Sequence, residues 1–258
     1  MIDFLAVIGE RVLGLFSIAG RLTLFVASAL SHCVRPPIYF RNILQQFLII
    51  GYNSLPVVGL TAFFTGAVLA LQASIGFSSL TAPTAIPMLV VVSVTRELGP
   101  VLASLMVAGR AGAAIAAELG TMRVTEQIDA LETLATSPVK YLVVPRVLAG
   151  VIMMPLLVLV ADVIGVMGGF IVSSFILDMN EHAYLNNTIT NLHPFDIVSG
   201  LIKAAVFGLI IAILGCFNGY HSKGGAQGVG AATTNAVVYA SVLILFSDYF
   251  LTELFLTR

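Results

Sequence analysis

Apolar residues run through this chain in long stretches separated by short polar ones, and their spacing predicts helices from end to end. Over the first 22 residues, apolar side chains at 1, 4, 5, 8, 12, 15, 16 and 19 follow the repeat of one helix face. Asp3, Glu10, Ser17 and Arg21 form the opposite stripe, a division that suits a helix lying on a membrane surface. Leu22 to Leu30 prolongs the apolar run, Arg21 and His32–Arg35 bracket it, and Pro36-Pro37 breaks the chain. Residues 1–40 therefore read as an interfacial amphipathic helix and elbow. The alternative is a first crossing over 12–34 with Arg21 buried.

A membrane span needs about 20 mostly apolar residues. Five stretches qualify, at about 47–73, 86–117, 141–177, 195–217 and 231–255, and residues 41–258 read as one transmembrane domain. The second is too long for one straight crossing, and Gly99-Pro100 is expected to kink it. Gly109, Ala113 and Ala117 fall four apart, as do Gly112, Ala116 and Gly120. Small residues at that spacing let helices approach closely in lipid. The links at 74–85, 178–194 and 218–230 read as an uncharged turn, a polar loop and a glycine-rich connection.

Residues 118–138 differ sharply. Glu118, Arg123, Glu126, Asp129 and Glu132 cluster there beside an apolar stripe of Met122, Ile128, Leu131 and Leu134. This predicts a short amphipathic helix over 118–134 outside the hydrocarbon. It reads equally as a coupling helix for a separate motor subunit or as a plain surface helix. Nine of the twelve lysines and arginines precede the first span, flank or fill the connection between spans two and three, or lie between spans four and five. Cytoplasmic flanks hold such an excess. The N-terminus, the 118–134 helix and the 218–230 link are therefore expected inside, and the C-terminus outside.

Composition agrees: 59% of residues are hydrophobic and only 10% charged, against about 25% charged in soluble domains. A net charge of -1 and the absence of a basic patch exclude nucleic-acid binding. The acidic N-terminus does not read as a cleaved signal peptide. Cys33 and Cys216 stand alone in apolar surroundings and read as buried thiols.

Charges inside the spans stand out, because one at the bilayer centre costs about 2.5–3.5 kcal/mol. Arg96-Glu97, Lys203 and Asp248 lie on three spans at similar depths, roughly 10–16 Å from the outer ends at the rise of a helix. Asp162 sits nearer mid-membrane. Matched depth suits either an ion-pair network pinning the helices or a polar patch in a cavity open to the outer leaflet. Leu69 and Leu71, near the outer end of span one, and Leu98, beside Glu97, are the candidate apolar walls. There is no phosphate-binding loop, nucleophile elbow or paired metal motif. The chain reads as non-catalytic, with no cofactor or metal of its own.

The run VTRELGPVLASLMVAGRAGAAIAAELGTMRVTEQIDAL at 94–131 resembles the signature of the MlaE family. So do LPVVGLTAFFTGAVLALQ at 55–72, SPVKYLVVPRVLAG at 137–150 and NGYHSKGGAQGVGAATTNAVV at 218–238. That resemblance decides for the coupling helix, with Glu118, Arg123, Glu126 and Asp129 as its polar contacts. It implies an all-α permease of a bacterial ABC transporter that moves glycerophospholipid between inner and outer membranes and maintains outer-membrane asymmetry. It further implies a homodimer in the inner membrane, an ATPase subunit that binds the ATP, a periplasmic MCE-domain lipid-binding protein and a small STAS-domain protein. An ion-coupled secondary transporter or channel is the alternative, weakened by the lack of inverted repeats.

Overall fold

Where no water reaches the backbone, its N–H and C=O groups must pair within the segment, which favours helices. The computed structural model describes residues 2–35, 39–77 and 81–256, and among these it holds helices and no strand. The elements are α1 (Ile2–Val34), α2 (Phe40–Gly76), α3 (Ala82–Val124), α4 (Gln127–Thr133), α5 (Val139–Phe175), α6 (Glu181–Asn191), α7 (Pro194–Tyr220) and α8 (Gly225–Leu256). Five of them, α2, α3, α5, α7 and α8, are long and apolar enough to cross a membrane. The chain is an all-α, multi-pass integral membrane protein.

Helix α1 is continuous through Arg21. Its second half meets the bundle: Phe25 and Ala29 are buried, with the Phe25 ring 5.6 Å from Phe217 and 5.9 Å from Tyr220. Leu13 and Phe16 stand exposed. The expected elbow at Pro36-Pro37 lies outside the described residues. So do residues 78–80 of the first turn, which is shorter than expected because α2 continues to Gly76 and α3 begins at Ala82.

Three further links depart from expectation. The polar loop at 178–194 contains α6. Asn180 caps it by accepting from Ala183 N, and Tyr184 and Thr188, one turn apart, are its buried face. Only two buried positions hold this helix, too few for a sequence repeat to show. The glycine-rich link shrinks to His221–Gly224, because Gly224 (φ 92°) and Gly225 (φ 66°) reverse the chain in left-handed geometry. The remaining glycines are helical.

The third correction concerns 118–134, which is two helices rather than one. Helix α3 runs to Val124, and Glu126 then adopts φ 60° before α4 begins. Leu119 and Ile128 explain the break. Both are fully buried, yet nine residues at 100° each would put them about 180° apart on one helix. Breaking the helix turns both toward the same core.

Helix α5 packs against α2 and α7, and α7 also carries α3 and α8. Small residues set these approaches. A Cβ on Gly150 of α5 would lie 2.7 Å from the Gly208 carbonyl oxygen of α7, closer than real contacts allow. The stripe Gly112, Ala116 and Gly120 is buried, and a Cβ on Gly219 would lie 2.7 Å from Ala116 O. The other stripe is less enclosed, with Gly109 in open space and Ala113 and Ala117 half-buried.

Candidate functional site

Pro100 shapes the site from the backbone outward. Proline has no N–H, so the carbonyl four residues back, that of Arg96, loses its helical partner. The chain accommodates this with a π-helical turn over Val94–Leu98, in which Gly99 N–H reaches back to Val94 O. Such turns occur often at functional sites. Here the released Arg96 carbonyl oxygen accepts from Lys203 Nζ at 3.2 Å.

Lys203 projects from α7 and is 2% exposed. Its Nζ lies 2.6 Å from Glu97 Oε2, 3.0 Å from Asp248 Oδ1 and 2.7 Å from Thr252 Oγ1. Asp248 and Thr252 are one turn apart on α8, and Thr252 Oγ1 is also 2.8 Å from Asp248 O. Arg96 turns the other way, its Nε 3.5 Å from Asp196 Oδ1. Asp196 is fixed in turn, its Oδ2 accepting from His193 N at the start of α7. Three carboxylates thus surround two cations. No space for a water molecule opens among Lys203, Glu97 and Thr252. Lys203 is therefore a hub that holds α3, α7 and α8 together, and Arg96, partly exposed, is the cation that faces outward.

Beside the cluster lies a groove of about 550 Å³ between α2 and α3, walled by Phe64, Val68, Leu69 and Leu98. Thr61 and Thr65 also line it, but each hydroxyl donates to a carbonyl of its own helix, Val57 O and Thr61 O. They present methyl groups to the groove. Leu98 walls the groove while its neighbour Glu97 belongs to the cluster, so the two features adjoin. Leu71 does not join them. Two residues beyond Leu69 it lies about 200° around the helix, and it points out of the bundle.

These helices lie almost wholly inside the stretch 43–254, which matches the model of the permease MlaE family. The chain belongs to the MlaE permease family. It is 58% identical over 248 residues to a probable ABC transporter permease protein of Rickettsia conorii, covering 96% of each chain. It is 34% identical over 257 residues to the intermembrane phospholipid transport system permease protein MlaE of Haemophilus influenzae, covering 98% of each. To the chloroplastic protein trigalactosyldiacylglycerol 1 of Arabidopsis thaliana it is 39% identical over 218 residues, 84% of this chain and 62% of the relative. This kinship does not favour the secondary transporter or channel.

In this MlaE-family chain the expected coupling residues divide. Glu118 Oε2 pairs at 2.8 Å with the buried Arg146 of α5, which also donates to Leu142 O at 2.6 Å, so Glu118 anchors α3. Arg123 and Asp129 pair with each other across the α3–α4 break. Glu126 is exposed at the break, flanked by exposed Val124 and Gln127. Asp162 of α5 is buried against Gly99 without joining the ion cluster; among the described residues its Oδ1 has no hydrogen-bond partner. Sequence reasoning missed Asp196 and Thr252. Asp196 stands three residues after His193, the position at which a side chain caps a helix start, and Thr252 stands one turn after Asp248. Both spacings were visible signals.

Proposed function

We propose that this chain is the membrane-spanning subunit of a bacterial ABC transporter that moves glycerophospholipid between inner and outer membranes and maintains outer-membrane lipid asymmetry. The observation that carries the reading is the adjoining of an apolar groove and an ion cluster through Leu98 and Glu97. The groove suits acyl chains. Arg96 suits the phosphate, whereas Lys203, shared among four oxygens, positions Glu97 and Asp248. The name of the Haemophilus relative, a phospholipid transport permease, supports the lipid class.

In this reading the chain works as a homodimer in the inner membrane, N-terminus cytoplasmic and C-terminus periplasmic. A separate ATPase subunit binds and hydrolyses ATP and docks at the α3–α4 break, with Glu126 as the exposed contact. A periplasmic MCE-domain protein exchanges the lipid, and a small STAS-domain protein completes the complex. A photo-crosslinker at Leu69 or Leu98 in the assembled complex is expected to capture phospholipid, and one at Leu71 far less. Lipid captured at Leu71 but at neither groove position would overturn the proposed path.

A further inference from the structure

The groove beside Leu98 and a second hollow, beside Asp162 between α3, α5 and α6, are walled mainly by apolar side chains. One hollow differs. His32 and Arg35, at the end of α1, and Lys140, in the first turn of α5, border a space of about 400 Å³ whose lining is mainly polar. Tyr39, Thr136 and Ser137 add three hydroxyls, and no carboxylate is among the described lining residues. Two basic side chains, Arg35 and Lys140, face one space from elements about a hundred residues apart in sequence. His32 Nδ1 lies 2.7 Å from Ser28 O. A carbonyl only accepts, so Nδ1 is the donor there and Nε2 remains for a ligand.

The level of the hollow is as informative as its charge. It lies where apolar runs stop, after Leu30 on α1 and before Tyr141 on α5. The Tyr39 and Tyr141 rings meet edge to face at 5.1 Å beside it, and tyrosines gather at the headgroup level of bilayers. Basic pockets between helices on the cytoplasmic side suit anionic lipid headgroups.

We infer that this hollow is a phosphate site for an anionic glycerophospholipid that stays bound as a tie between α1 and the α4–α5 connection, separate from the transported lipid. The inference rests on the proposed orientation only in naming the leaflet, the cytoplasmic one. It does not depend on transport through the groove, so a failed groove crosslink leaves it standing.

The test uses the full chain in nanodiscs of phosphatidylcholine, with or without phosphatidylglycerol, and reads both Tm and lipid adducts by native mass spectrometry. Phosphatidylglycerol is expected to raise Tm and to remain bound. In Arg35→Gln/Lys140→Gln, adduct retention is expected to fall roughly thirtyfold, from the gain per charge at an anionic surface. The charge-preserving Arg35→Lys/Lys140→Arg should retain the lipid, which guards against loss through misfolding. A control, Arg41→Gln/Lys223→Gln, removes the same charge elsewhere and should keep it too. Equal loss in the control would reduce the effect to general surface charge and overturn the site. Unchanged retention in the first variant would do the same. Millimolar inorganic phosphate should not reproduce the Tm rise; if it does, the site is one for free anions and the lipid assignment fails.

Discussion

Pro100 and Lys203 are joined through one atom, the Arg96 carbonyl oxygen. The proline removes the N–H that would have bonded it, and Lys203 Nζ takes it at 3.2 Å. The kink expected from Gly99-Pro100 is thus part of the polar site: it opens α3 where a buried cation needs an acceptor. A charged hydrogen bond to a released carbonyl helps offset the cost of an ammonium in an apolar surrounding.

Lys203→Met should lower the Tm of the purified chain, because it leaves the half-buried Glu97 and Asp248 without their cation; losing a hydrogen bond to a charged group costs about 1.5–3 kcal/mol. Adding Glu97→Gln should restore part of the loss, since coupled residues do not add independently. Thermal unfolding of the four members of this cycle checks it. Strict additivity would show that the 2.6 Å pair contributes nothing.

Glu126→Lys should uncouple ATP hydrolysis from transport, or release the ATPase, while insertion stays normal. Glu126→Gly separates charge from backbone. A left-handed residue other than glycine carries a strain of about 1–2 kcal/mol, so glycine should keep or raise Tm while still weakening docking. Co-purification of the ATPase with each variant is the measurement. Normal stoichiometry in both moves the docking point off the α3–α4 break.

Gly208→Ala should destabilise the α5–α7 contact, because its Cβ would collide with the Gly150 carbonyl. Gly230→Ala in α8 meets nothing within 4 Å and should be neutral or stabilising by up to about 1 kcal/mol through helix propensity. Opposite signs of the Tm change are expected. A stable Gly208→Ala chain would mean that the two helices are not in such close contact.

Single cysteines at Ser137 and Asn186, in a background lacking Cys33 and Cys216, should label from opposite sides. Both native positions are exposed. Residue 186 is expected to react with an impermeant reagent added outside, and residue 137 only after permeabilisation. Labelling of both from the same side would end the proposed orientation.

How much was legible follows from the range of each interaction. The five spans could be read because hydrophobicity is a property of consecutive residues, and a stretch of apolar residues has few ways to meet lipid except as a helix. The charges at matched depth could be read by counting along those helices. Counting does not give rotation about the axis. Leu69 and Leu71 look alike in sequence, yet only Leu69 lines the groove. Likewise, the two small-residue stripes of α3 have the same spacing, but only Gly112, Ala116 and Gly120 are buried throughout.

By itself, then, the sequence determined that this is an all-helical membrane protein, which segments cross, and which ionisable groups had to find partners or cost too much to keep. Tertiary packing decided who the partners are. Lys203 could have met a lipid phosphate or protein oxygens, and α3 and α8 filled its shell. The 118–134 segment could have been one helix, and the need to bury both Leu119 and Ile128 broke it in two. In both cases the deciding contacts come from residues distant in the chain, whose positions are set only when the helices close on one another.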